Sequence, residues 1–183
     1  MPTRRQFLAA GAGLALLAAC SPKLDWREVR PAGTDFVIAL PGRPQIETRE
    51  FELAGRKLSM TMASAGVGAT LFAAGVATLP ADALAAEPLA AVVDGFRAAL
   101  LRNVGATESR VRSAPPLRSA GMLRSAQAVT ATGKTGREAR AVQLAARFYV
   151  VDDRLYQLVA LGAAGELPPA ALDSFFDSFR LAR

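Results

Sequence analysis

Arg147-Phe-Tyr-Val-Val-Asp-Asp-Arg-Leu-Tyr-Gln-Leu-Val-Ala-Leu161 decides how the body of this chain is read. Two runs rich in β-branched and aromatic side chains, 147–151 and 154–161, flank Asp152-Asp153, a two-residue hairpin turn. Working upstream, Ser125–Thr132 and Arg137–Ala145 pair across Gly133-Lys134-Thr135-Gly136, although the second is alanine-rich and fits a helix as well. Thr107–Arg112 alternates as a strand and stops before Pro115-Pro116. Asp35–Leu40, Ile46–Leu53, Lys57–Met62 and Ala69–Leu79 form a meander punctuated by proline and glycine. Leu58, Met60 and Met62 alternate with polar neighbours, the period-2 signature of a half-buried strand. Only two segments switch to helical spacing. One runs from Pro88 through Leu89, Val92, Val93, Phe96 and Leu100 to a stop at Asn103 and Gly105. The other starts at Pro168-Pro169 and carries Leu172, Phe175, Phe176 and Phe179 as an apolar stripe. Strands, helix, strands, helix with hairpin-short links predict an α+β fold, a mainly antiparallel sheet flanked by helices.

The N-terminus is an address. Arg4 and Arg5 precede Phe7–Ala19, 13 residues of only Phe, Leu, Ala and Gly. A membrane-spanning helix needs about 20 apolar residues, whereas a run of this length fits the core of a secretory signal. Thr3-Arg4-Arg5-Gln6-Phe7-Leu8 resembles the twin-arginine export motif. Leu17-Ala18-Ala19-Cys20 resembles a bacterial lipobox. That resemblance implies cleavage before Cys20, a diacylglycerol on its sulfur and an acyl chain on its new amine, enough for stable anchoring. Ser21, in place of the aspartate that marks inner-membrane retention, points to the outer membrane, facing the periplasm. The organisation expected is a signal peptide at 1–19, a lipidated tether at 20–25 and a single domain at 26–183.

Composition excludes much. The chain has 183 residues, 22 basic against 16 acidic, no histidine and one cysteine. Losing Arg4 and Arg5 with the signal leaves 20 basic residues, a net charge of about +4. Without histidine there is no Ser-His-Asp or Cys-His centre and no imidazole metal site. With Cys20 acylated, no thiol remains for nucleophilic or redox work. No nucleic-acid motif is present and the compartment is wrong for one, so nucleic acid is not an expected partner.

Two stretches carry a family resemblance. Asp35-Phe-Val-Ile-Ala-Leu-Pro-Gly-Arg-Pro44 opens the domain, and Arg154-Leu-Tyr-Gln-Leu158 with Leu172-Asp-Ser-Phe-Phe-Asp-Ser-Phe179 closes it. Together they resemble bacterial exported proteins with the PsbP-like, Mog-like α/β/α sandwich fold, with Leu40 where that pattern carries phenylalanine. The resemblance spans roughly residues 26–181 but rests on about thirty structural positions. It implies an α/β/α sandwich and a binding or assembly role rather than catalysis, and transfers no binding residue.

The remaining motifs are weak. Ala128-Val-Thr-Ala-Thr-Gly-Lys-Thr135 meets a relaxed phosphate-loop pattern, but Gly136 disfavours the helix such a loop needs, and a turn explains the residues as well. Gly66-Val-Gly68 and Gly11-Ala-Gly13 are incomplete dinucleotide fingerprints. Asp152-Asp153 falls far short of a calcium shell, and Asp173 with Asp177 reads as the solvated side of the last helix. No catalytic residue, metal or cofactor is expected. The charge distribution says more. Arg102, Arg110, Arg112, Arg118, Arg124, Lys134, Arg137 and Arg140 stand against only Glu108 and Glu138. If gathered, they form a face for an anionic lipid or an acidic envelope protein. The expected function is a lipid-anchored periplasmic binding or assembly module. The alternatives are a carrier of an apolar ligand lined by Met60, Met62 or the phenylalanines, and a histidine-independent enzyme using Lys57, Lys134, Tyr149 or Tyr156.

Overall fold

The computed structural model describes residues 24–117, 121–136 and 138–182. The export arginines Arg4 and Arg5, the lipidation site Cys20, and Arg118 and Arg137 of the basic set lie outside the described residues.

Ten strands and two α-helices follow one another as β1 (Trp26–Val29), β2 (Phe36–Pro41), β3 (Gln45–Leu53), β4 (Arg56–Val67), β5 (Thr70–Thr78), α1 (Ala86–Asn103), β6 (Ala106–Ser113), β7 (Leu123–Thr135), β8 (Arg140–Val151), β9 (Arg154–Ala163), α2 (Pro169–Asp177) and β10 (Arg180–Leu181). Seven strands form one antiparallel sheet in the order β3-β4-β5-β9-β8-β7-β6, and β1-β2-β10 form a second. The hairpin at 147–161 thus occupies the middle of the large sheet, with Tyr149 opposite Tyr156 and Val151 opposite Arg154.

The expected α+β, α/β/α sandwich is not what forms. Among the described residues strands make up 55% and helices 19%, so the fold is β-rich with two antiparallel sheets. The physical reason lies at the ends of the domain. Trp26–Val29 and Arg180–Leu181 carry no readable periodicity, yet both pair with β2. This small sheet, together with α2, covers the side of the large sheet that a helical layer was expected to cover.

Each face of the large sheet has its own core. On one face α1 lays Leu89, Val92, Val93 and Phe96 over Leu58, Met60, Phe148, Val150 and Val159. On the other, Phe36, Ile38 and Leu40 of β2 and Phe175 and Phe176 of α2 cover Phe72, Tyr156 and Leu158. Strands buried on both faces read as unbroken apolar runs rather than as alternation. That is why 147–161 looks continuous. It is also why Arg137–Ala145 reads ambiguously: residues 140–151 are one strand, β8, whose alanines Ala141, Ala145 and Ala146 suit a helix as well as a crowded sheet centre.

Gly133 and Lys134 are not a turn either. They lie inside β7, and the reversal falls at Gly136–Ala139. Gly133 is glycine because the chain leaving α1 crosses it backbone to backbone. A side chain there would collide with the Val104 carbonyl oxygen and sit 2.8 Å from that of Gly105. The Lys134 N–H donates to the Gly105 carbonyl at 3.2 Å. A strand in this setting is no phosphate-binding loop.

Candidate functional site: a groove beside the β6 edge

On the α2 face the large sheet is covered unevenly. Over β9 and β8 the aromatic side chains of β2 and α2 fill the space. Toward β7 and β6 the sheet carries only small and polar groups in register: Arg110 beside Thr130 beside Ala145, and Glu108 beside Thr132 beside Gln143. Short side chains there leave an open groove of about 630 Å³. Thr130, Thr132, Gln143 and Ala145 form its floor, Arg110 and Glu108 its outer rim, and Leu167 and Leu172 its inner wall.

The inner wall is held in place by the sheet. A side chain at Gly162 would lie 2.9 Å from Leu167 Cγ, so its absence lets Leu167 settle against β9. The Gln143 side-chain oxygen accepts the Gly165 N–H at 3.3 Å, tying the β9–α2 connection to the floor. Above the groove, the Arg147 guanidinium lies 4.4 Å from the centre of the Phe176 ring and 3.9 Å from Asp177. The groove therefore offers two hydroxyls, an amide, a guanidinium and a carboxylate beside an apolar wall. That set recognises a polar or charged ligand by hydrogen bonding; it places no activated nucleophile against a base.

The six described basic positions do not share one surface. Alternation places Arg110, Arg112 and Lys134 on the α2 face, around the groove. Arg140 projects to the opposite face and bonds Glu138 at 2.6 Å. Arg124 donates to the Asp152 carbonyl at 2.7 Å, and Arg102 sits on the last turn of α1. Sequence reasoning had no way to find Thr130, Thr132, Gln143 or Leu167, because only the order of strands brings them together. It could have flagged Arg147, a lone cation in a run buried on both sides.

Of the groups considered for unconventional catalysis, the two tyrosines are hydrogen-bonded in the core. Tyr156 donates to the Asp35 carboxylate at 2.8 Å, while Arg154 pairs with the other Asp35 oxygen at 3.2 Å. Burial, reinforced by that hydrogen bond and the Asp35 charge, holds the Tyr156 phenol well above its ordinary range. Tyr149 donates to the Pro115 carbonyl at 3.1 Å, and burial raises it too, against an opposing effect of Arg147. Both phenols stay protonated. Lys57 and Lys134 are exposed. The stretches at 35–44, 154–158 and 172–179 meet here, since Phe179 packs 5.7 Å from Phe36 and 5.6 Å from Tyr156. Among the described residues no group of three or more acidic, cysteine or histidine side chains comes together to hold a metal ion.

No protein-family model matches the chain, and no curated protein matches it. Among solved structures it is similar to PA94 of Pseudomonas aeruginosa, a protein of unknown function, at 14% identity and a TM-score of 0.31, over 80% of this chain and 85% of that one. Nothing about the fold or the groove rests on that likeness.

Proposed function

We propose that this chain is a lipid-anchored module of the bacterial cell envelope, facing the periplasm, that works by contact with an envelope protein or an anionic lipid. The observation that carries the reading is Leu17-Ala18-Ala19-Cys20 directly after a charged and then apolar leader. An acylated cysteine tethers a small domain to a membrane and concentrates it against its partners there. The groove supports the contact half of the reading. It is polar and open, with Thr130, Thr132 and Gln143 presenting hydrogen-bonding groups. Met60 packs inside the α1-face core, its sulfur 3.1 Å from where a side chain on Gly75 would begin.

The test uses the full chain in bacterial cells. Labelling with an alkyne-bearing fatty acid should mark the protein, and fractionation should place it with membranes. Cys20→Ser should abolish the label and release the protein. A photocrosslinking residue at Thr130 should then give a discrete adduct in the anchored protein and lose it in Cys20→Ser. An unlabelled wild-type chain recovered in the soluble fraction would sink the proposal.

A further inference from the structure

Strand β6 ends the large sheet, and among the described residues nothing pairs with its outer edge. From Thr107 to Ser113 every residue is exposed. Such an edge presents alternate N–H and C=O groups as a template for another strand. Its charges are also unspent. Asp25 with Arg27, Glu47 with Arg49, and Glu138 with Arg140 share one spacing, acid then arginine two residues on, and each pair closes on itself at 2.6 Å. Glu108 and Arg110 have the same spacing and do not bond each other or any other described side chain.

We infer that β6 pairs antiparallel with β6 of a second copy of this chain, about a twofold axis through Ser109. In that register Glu108 faces Arg110 of the second copy, twice by symmetry, on either side of Ser109. Sliding the pairing one pleat either way sets Arg110 against Arg110 or Glu108 against Glu108, and like charges directly opposite are destabilising. A bulge between Ala106 and Glu108 interrupts the edge at Thr107, so the regular ladder about this axis is the short run from Glu108 to Arg110. The axis stands perpendicular to the sheet. Both α2 faces then point the same way, the two grooves lie side by side, and both Leu24 ends emerge from the same layer. Two anchors could then enter one membrane. That last consequence rests on lipidation at Cys20; the pairing does not.

Residues opposite each other in an antiparallel pair have Cα atoms roughly 4.5–5.5 Å apart, within reach of a disulfide. Only the residue on the axis meets itself. The experiment therefore uses the full chain with Cys20→Ser, leaving an engineered cysteine as its sole thiol. Mild oxidation should link Ser109→Cys into a dimer, while Val111→Cys should link poorly, and Glu108→Cys and Arg110→Cys should link poorly alone and well when mixed. In sedimentation, Glu108→Arg should weaken self-association on the order of tenfold, and adding Arg110→Glu should restore it. All these positions are exposed, and circular dichroism checks that each variant folds. Equal linking at 109 and 111, no linking at 109, or a parent that stays monomeric at every concentration would overturn the pairing. So would a monomer that captures only an acidic peptide. Because the protein tested carries no lipid, these outcomes are independent of the anchoring proposal.

Discussion

Gly133→Ala isolates the contact that the chain makes as it leaves α1. The added methyl meets backbone on both sides: the Val104 carbonyl oxygen, and the Gly105 carbonyl oxygen and carbon at 2.8 and 2.9 Å, where ordinary contacts run 3.4–4 Å. No side chain can swing aside, so β7 and the α1–β6 turn must separate by about 1 Å, a strain that a close-packed interior resists. Overpacking of this kind costs about 1–3 kcal/mol. Separation also breaks the Lys134 N–H to Gly105 hydrogen bond, another ~1 kcal/mol. Alanine returns roughly 0.4–1 kcal/mol through a less flexible unfolded chain. The net is a loss of about 2–3 kcal/mol. At roughly 2–4 °C per kcal/mol for a protein of this size, Tm falls by about 5–10 °C. Urea unfolding followed by the fluorescence of Trp26 and thermal melts by circular dichroism read both quantities. Lys134→Ala is the control. Its side chain is exposed, and its loss should change stability by less than about 0.5 kcal/mol. A Gly133→Ala protein as stable as its parent, or a Lys134→Ala protein that suffers more, would refute the backbone-crossing argument.

Two further outcomes follow from the buried polar groups. Tyr156→Phe removes the hydrogen bond to Asp35 and should cost about 1–2 kcal/mol at neutral pH. Because folding raises the Tyr156 phenol above its unfolded value of about 10, its contribution is complete below that pH and is lost as pH rises beyond it. Urea midpoints should therefore fall from pH 10 upward in the parent and fall less steeply in Tyr156→Phe; identical slopes would contradict the assignment. Arg147→Ala should cost about 1–2 kcal/mol, since the side chain is only 19% exposed and stacks on Phe176. Asp177→Asn should cost less than about 0.5 kcal/mol, because that carboxylate is 76% exposed. Equal losses in the two variants would mean that the ion pair, not the ring contact, holds Arg147.

The edge of the sheet and the groove bear on one another. In the pair proposed above, a twofold axis perpendicular to the sheet sets the two grooves side by side, with Thr130, Thr132 and Gln143 lining each one and Glu108 and Arg110 in the contact between copies.

Local chemistry made much of the chain legible. The hairpin at Asp152-Asp153, the alternation from Leu58 to Met62 and the two helical stripes follow from spacing within a few residues, which is where periodicity and turn preferences act. What lay beyond reach depends on residues far apart in the chain. Arg180-Leu181 is a strand only because Phe36 and Val37 offer it an edge. Residues 140–151 form a strand rather than a helix because both faces of the sheet are covered there. Gly133 is constrained by Gly105, and the groove exists because β6, β7, β8 and the β9–α2 connection meet. Whether the six described basic residues make one face or several likewise depends on strand parity and partners, and composition is silent on both. The sequence by itself thus determined the central hairpin, the alternation of β4 and the two helices, since those are short-range properties. The second sheet, the β-rich class and the groove were decided by tertiary structure, because pairing energy is non-local and the same apolar run suits several partners until the whole sheet is assembled.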